Sequence, residues 1–175
     1  MFNVESSAEL RAIDEVAASV GKTARVALRI NPDIDPKTHP YISTGLKKSK
    51  FGIAADRALE EYKLASSLSH IEIVGVHAHI GSQLTEVTPF VEALKKVVAL
   101  VEALKDQGIG IQYLNVGGGL GITYLDEKPP LPKDLAEAIF PLVKDRNLTL
   151  VMEPGRVIVG NAGILVTRAL YQKDG

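Results

Sequence analysis

Five short apolar runs, separated by segments with helical periodicity, constrain the fold of this chain more than any other feature. Strands are predicted over residues 2–5, 24–30, 71–77, 113–116 and 148–152. The later runs are almost continuously apolar, as in strands that are buried on both faces of a parallel sheet. Alternation of such strands with helices predicts the α/β class, with helices covering the sheet.

The intervening segments carry the end signals of helices. Ser6, with Glu9 three residues later, forms a capping-box pattern, and Gly21 is suited to end the same helix. Pro141 should shorten or kink the last helix, because proline cannot donate the intrahelical hydrogen bond. The predicted helices cover residues 6–21, 56–68, 88–107 and 133–145, and a further strand is predicted over 164–171.

The number of βα units limits the architecture. A closed (β/α)8 barrel takes about 250 residues, whereas this chain has 175 residues and about five βα units. Five strands cannot close such a barrel. The sequence therefore predicts either an open doubly wound sheet or a partial (β/α)8 TIM barrel.

Composition excludes several classes of function. The net charge is -1, with 20 basic and 21 acidic residues, so neither nucleic acid nor an anionic membrane is expected as a partner. The chain has no cysteine, which excludes disulfides, thiolate nucleophiles and Cys-ligated metals. Without a signal-peptide pattern or a stretch apolar enough to span a bilayer, a cytoplasmic location is expected.

Three polar, glycine-containing segments follow the last three strands, and they point to one site. Ligands of α/β proteins collect at the carboxyl ends of parallel strands. Segments from three successive strands should therefore meet, and they are suited to an anion and an aromatic or carbonyl-bearing ligand. The segments are His77-Ala-His-Ile-Gly-Ser-Gln83, Asn115-Val-Gly-Gly-Gly-Leu-Gly121 and Glu153-Pro-Gly-Arg156.

Individual residues of these segments allow more than one interpretation. A lone histidine is usually structural, but Ser82 and the glycines expected nearby favour a ligand-binding role for His79, and less so for His77. A two-histidine metal site is disfavoured, because no carboxylate pattern accompanies it. The glycine run suits a phosphate cradle with Ser82. Glu153 could hold a pyridine nitrogen protonated and Arg156 could bind phosphate or carboxylate, but an ordinary surface pair is equally compatible.

A fourth candidate is the long segment 31–52 that follows Arg29. Its polar and glycine residues, which include His39, Tyr41 and Thr44, are typical of functional loops. A solvated connection is an equal alternative.

Together these stretches resemble the fold-type III pyridoxal-phosphate decarboxylases, the alanine racemase and ornithine decarboxylase superfamily. Within it, the run from Asn31 to Ile53 is most similar to the diaminopimelate decarboxylase family. The resemblance covers essentially the whole chain and is carried by Arg29-Ile-Asn-Pro-Asp-Ile-Asp, Ser43-Thr-Gly-Leu, Lys50-Phe-Gly-Ile and the three segments above.

The resemblance implies pyridoxal 5′-phosphate as cofactor and assigns roles to its binding residues. His79 would stack on the pyridine ring, and Glu153 would pair with the ring nitrogen. Arg156 would bind either the phosphate or a substrate carboxylate. The remaining cofactor-binding residues, of which the serine and the glycines would bind the phosphate, are Ser82, Gly118, Gly119, Pro154 and Gly155.

The chain departs from that family in ways that define what it lacks. The Schiff-base lysine of an Ala-x-Lys-Ala-Asn-like strand and the cysteine of a C-terminal β-domain are both absent. We therefore assign no catalytic residue and no metal ligand, and we expect a central fragment without the first barrel strands and without activity of its own. Residues 1–160 would form the partial cofactor-binding barrel, and residues 161–175 an exit strand towards the missing domain.

The activity implied for the complete enzyme is decarboxylation of meso-2,6-diaminopimelate to L-lysine and CO2, the last step of lysine biosynthesis. A homodimer that takes a small amino-acid substrate is implied as well. Three alternatives remain open: a non-catalytic remnant that binds pyridoxal phosphate or another phosphate, an inert truncation product that folds poorly, and a sibling decarboxylase acting on ornithine, arginine or carboxynorspermidine.

Overall fold

A single parallel sheet organises the chain in a computed structural model that describes residues 1–34 and 50–173. Its neighbouring strands follow the order β1-β2-β4-β5-β6, and the short β3 pairs with the end of β2. Every pairing is parallel. The strands are β1 (Phe2–Val4), β2 (Ala24–Asn31), β3 (Ile53–Ala54), β4 (Ile71–His77), β5 (Tyr113–Asn115) and β6 (Thr149–Val151).

Helices connect these strands much as the end signals indicate. The Ser6 side chain accepts a hydrogen bond from the Glu9 amide, so the predicted N-cap is confirmed. The Glu9 carboxylate accepts its bond from the Glu5 amide at 2.7 Å and not from the Ser6 amide, so the reciprocal half of the predicted capping box is shifted by one residue. Pro141 lies in a 3-10 turn (Phe140–Leu142) that follows the shortened fourth helix. The helices are α1 (Ser7–Ser19), α2 (Ala58–Ser67), α3 (Thr88–Asp106), α4 (Pro132–Ile139) and α5 (Arg156–Val159).

The hydrophobic core lies between the sheet and the helices. One face of α3 is buried, including Phe90, Leu94 and Leu104, and it covers buried strand residues such as Val76 and Leu114. A sheet whose strands are apolar in this way needs a helical layer against it. The predicted α/β class with a parallel sheet is confirmed.

The sheet curves so that its two outer strands approach each other at one end. Asn3 of β1 donates a side-chain hydrogen bond at 3.2 Å to the carboxylate of Glu153, which follows β6. These strands are the first and the last in the sheet order. A flat sheet of five strands would hold them far apart, since neighbouring strands are about 4.8 Å apart. The curvature is that of a barrel wall.

The structure corrects one expectation, adds one strand that was not expected, and leaves one candidate segment largely outside the described residues. Residues 164–171 have no strand but run as irregular, exposed backbone, with Ile164 91% exposed. β3 was not predicted, because two residues are too few to show a pattern. Residues 35–49 of the candidate segment, with His39, Tyr41 and Thr44, lie outside the described residues. None of the helices in the described ranges is long and apolar enough to cross a membrane.

Candidate active site

The three polar segments lie side by side because β4, β5 and β6 are neighbours in register. His77 pairs with Asn115, and Asn115 pairs with Val151, so the three strands end at the same level. Backbone hydrogen bonds continue past the strand ends: the Leu84 amide donates to the Gly119 carbonyl, and the Glu153 amide donates to the Gly117 carbonyl at 2.8 Å. The segments therefore form one connected rim.

Glycine is required where the rim is tightest. A Cβ atom on Gly118 would lie 2.1 Å from the Glu153 carbonyl oxygen, and one on Gly119 would lie 2.3 Å from the Gly81 carbonyl oxygen. Gly119 also has a φ of +116°, which side-chain-bearing residues rarely adopt. The glycine run thus lets the β5 loop pack directly on the backbone of both neighbouring loops.

Gln83 fixes the far side of the same loop. Its side-chain amide accepts a hydrogen bond from the Ile122 amide at 3.0 Å and donates one to the Ile122 carbonyl at 2.5 Å. A two-point contact of this kind imitates a strand pair. It holds the end of the glycine loop in place at Ile122.

His79 is held against the glycine loop. Its Nδ1 accepts a hydrogen bond from the Gly118 amide at 3.2 Å, which leaves Nε2 as the protonated nitrogen of the neutral ring. Burial lowers the pKa of His79, Arg29 lowers it further, and Glu153 opposes both effects. The site therefore offers a neutral, oriented imidazole.

Glu153 presents a carboxylate held by amide groups. Asn115 donates to its Oε1 at 2.7 Å, and Asn3 donates to the same oxygen at 3.2 Å. Its Oε2 lies 3.7 Å from Nε2 of His77, and its side chain is 44% exposed. Burial lowers the pKa of His77 to about 4, although the Glu153 carboxylate opposes this effect. His77 is therefore neutral near pH 7.

Arg156 begins the short helix α5 and reaches across to the β4 loop. Its Nε donates to the Ser82 hydroxyl at 3.3 Å, and its Nη1 donates to the Tyr124 hydroxyl. The Tyr124 ring also lies under the guanidinium, 5.5 Å from its carbon to the ring centroid. Next to it, no heavy atom of the described residues lies within 4 Å of a Cβ position on Gly155, so the space there is open towards this part of the chain. The Ser82 hydroxyl and the Arg156 guanidinium thus lie beside the open backbone at Gly155.

Arg29 lies beside His77 in the sheet, but its guanidinium is engaged by other groups. It forms an ion pair with Glu5, and its guanidinium lies 5.1 Å from the centroid of Phe51. The Gly52 amide also donates to Glu5, at 3.2 Å. These contacts hold the described end of the candidate segment against β1 and β2.

The structure thus places the eight predicted cofactor-binding residues on three adjacent loops. Three further residues, which the sequence did not predict, contact Glu153 or Arg156: Asn3, Asn115 and Tyr124. A sequence signal for Asn115 exists, because an asparagine two residues before Gly117 is a typical Asx-turn pattern. Its Oδ1 does accept a hydrogen bond from the Gly117 amide. No local signal identifies Asn3 or Tyr124.

A curved parallel sheet that gathers its polar loops at the carboxyl ends of its strands is the construction of (β/α)-barrel enzymes. Fold and site place this chain in that class. Comparison with known sequences narrows the assignment: the chain belongs to the pyridoxal-dependent decarboxylases, since the sequence model of their pyridoxal binding domain matches residues 1–160.

Similar proteins agree with this family. The chain is 53% identical over 175 residues to diaminopimelate decarboxylase of Aquifex aeolicus and 55% identical over 172 residues to that of Pseudomonas aeruginosa. These alignments cover 99% and 98% of this chain but 42% and 41% of the relatives. The chain therefore spans less than half the length of the curated relatives it matches.

Solved structures give the same relation. A crystal structure of diaminopimelate decarboxylase from Helicobacter pylori complexed with L-lysine superposes with a TM-score of 0.85 at 46% identity. The superposition covers 89% of this chain and 40% of the Helicobacter pylori chain. The M. jannaschii enzyme superposes with a TM-score of 0.79 at 48% identity, with 90% and 38% covered. The predicted partial barrel is confirmed by this coverage.

Proposed function

We propose that this chain forms part of the cofactor-binding barrel of a pyridoxal 5′-phosphate-dependent decarboxylase that converts meso-2,6-diaminopimelate to L-lysine and CO2. The observation that carries the proposal is that His79, Glu153 and the glycine loop meet at one end of the sheet, with the Gly118 amide bonded to His79. The identity of about half with diaminopimelate decarboxylases supports the substrate, as does the lysine complex of the Helicobacter pylori relative.

The donor set of the site fits the cofactor. A phosphate needs backbone amides, a hydroxyl or a guanidinium, and Ser82, Arg156 and the open backbone at Gly155 supply these. A protonated pyridine nitrogen needs a carboxylate, and Glu153 supplies one that the side-chain amides of Asn115 and Asn3 hold in place. A flat ring suits the imidazole of His79. Gly118, Gly119 and Pro154 complete the wall between these groups.

Each residue has a defined task in the proposed reaction. When bound, the cofactor supplies an electron-withdrawing pyridine ring that stabilises the negative charge left on an amino acid by loss of CO2. Glu153 keeps that ring protonated, and His79 fixes its plane. Ser82 and Arg156 anchor the phosphate, or Arg156 binds the α-carboxylate of the substrate instead.

A chimera tests both the cofactor and the substrate. The matching segment of the Pseudomonas aeruginosa enzyme, 55% identical, is replaced by this chain, and CO2 and lysine are measured with diaminopimelate, ornithine and arginine. We expect activity with diaminopimelate alone. Glu153→Gln should lower kcat by about 100-fold, whereas Glu137→Gln, which lies 67% exposed on α4, should not change it.

Two results would contradict the proposal. A folded chimera that binds pyridoxal phosphate but releases CO2 only from ornithine or arginine would exclude the substrate. A folded chimera that binds no pyridoxal phosphate would exclude the cofactor assignment itself.

The proposal extends to the setting of the complete enzyme, as a cytoplasmic homodimer without nucleic-acid partner. The mixed surface charge, with a net charge of -1, supports the last point. The division into a barrel part (1–160) and an exit segment (161–175) is supported by α5, the last regular element in the described part of the chain. Light scattering of the chimera would measure its oligomeric state.

A further inference from the structure

Side chains from three different strands converge on the carboxylate of Glu153. Asn3 comes from β1 and Asn115 from β5, and both donate to Oε1. His77, the last residue of β4, approaches the other oxygen, Oε2, at 3.7 Å. Glu153 itself follows β6. The carboxylate is therefore located by residues that only the curvature of the sheet brings together.

The His77 ring is buried at the end of β4. It is 4% exposed, and within residues 1–34 and 50–173 neither of its ring nitrogens has a hydrogen-bond partner. A buried N–H without an acceptor costs about 1–3 kcal/mol. The neutral ring must carry one N–H, and on Nε2 this group faces Glu153. A shift of about 0.7 Å would bring the pair to an ordinary hydrogen-bond distance of about 3.0 Å.

All three donors are neutral, which matters for the charge of the site. Among the described residues, His77 is the basic side chain within ion-pair distance of Glu153. Burial lowers the pKa of His77, so its ring stays uncharged. The nearby Arg29 pairs with Glu5 instead. Neutral donors fix the position of a carboxylate without compensating its charge, so the charge stays available to a cation in the opening.

We propose that His77 is a positioning residue which, through an Nε2–H directed at Oε2, holds the Glu153 carboxylate in the orientation that pairs with a cationic ring nitrogen. The inference rests on the proposed function, because the cofactor supplies that nitrogen. Asn115 completes the device. Its Nδ2 binds Glu153 and its Oδ1 accepts from the Gly117 amide at 2.9 Å, so it ties the carboxylate to the glycine loop.

The first test needs no ligand. Nitrogen-15 NMR of the histidine rings in the purified chain identifies the tautomer of His77. We expect protonated Nε2, and a change in its chemical shift in Glu153→Gln. Protonation of Nδ1 instead would overturn the proposal, whether or not the chain binds the cofactor.

The second test uses pyridoxine 5′-phosphate, which lacks the aldehyde and cannot react with lysines, labelled with nitrogen-15 in the ring. We expect His77→Phe to weaken its binding about fivefold and to lower the pKa of the bound ring nitrogen, with His77→Gln in between. The affinity for inorganic phosphate should stay within about twofold, and His70→Gln, at a half-exposed surface histidine, should change neither.

A double-mutant cycle separates positioning from a structural effect. In the Glu153→Gln background, His77→Phe should have no further effect on the ring nitrogen or on affinity. An undiminished effect in that background would overturn the proposal. Failure of the wild-type chain to bind the probe would count against the proposed function instead, and the tautomer measurement would still decide the role of His77.

Discussion

Gly118→Ala gives the sharpest test of how the glycine loop is built. The new Cβ would lie 2.1 Å from the carbonyl oxygen and 3.0 Å from the carbonyl carbon of Glu153. Both atoms belong to the backbone, so no side-chain rotation relieves the contact. The β5 and β6 loops must separate by about 1 Å to restore van der Waals distance.

The cost can be worked out from this geometry. Overpacking of this kind destabilises a protein by about 1–3 kcal/mol. In a chain of this size each kcal/mol lowers Tm by about 2–4 °C, so we expect a decrease of roughly 2–12 °C. The hydrogen bond from the Gly118 amide to His79 should lengthen as well, because the loop carries that amide with it.

The assay is thermal unfolding followed by circular dichroism, with Gly110→Ala as the matched control. A Cβ on Gly110 would meet no heavy atom within 4 Å, and its φ is not in the left-handed region, so this change should be neutral or stabilise the chain by up to about 1 kcal/mol. The reasoning is refuted if Gly118→Ala melts within about 1 °C of the wild type while Gly110→Ala behaves as expected.

Three further predictions concern the N-cap at Ser6, the buried hydroxyl of Tyr62 and the dependence of stability on pH. Ser6→Ala should cost about 1 kcal/mol in urea unfolding, because the Glu9 amide loses its acceptor; an unchanged midpoint would contradict this. Tyr62→Phe should cost about 1–2 kcal/mol by the same assay, since the fully buried hydroxyl donates to the Gly75 carbonyl at 2.8 Å; equal stability would show that water replaces it. Burial lowers the pKa of His77 from 6.5 to about 4, so between these pH values the unfolded chain binds a proton that the folded chain does not. Stability should therefore be complete above pH 6.5 and fall by about 3 kcal/mol towards pH 4; His77→Gln should remove this loss, and an identical pH profile would exclude His77 as its source.

The sequence determined the features whose causes are local. The N-cap at Ser6 and the shortening of α4 before Pro141 depend on residues within one turn of each other. Apolar strands of the parallel type indicated the sheet, and the glycine run marked a loop at the end of β5. The three polar segments could be placed together because parallel strands end at one edge of a sheet.

The tertiary structure decided what depends on distant neighbours. Residues 164–171 have the composition of a strand but form none, because a strand needs a partner and the pattern of one segment cannot supply it. The contact between Asn3 and Glu153 joins residues that are 150 positions apart, and only the curvature of the sheet creates it. The neutral state of His77 likewise follows from burial by several elements at once, so no reading of its neighbours in the chain could have found it.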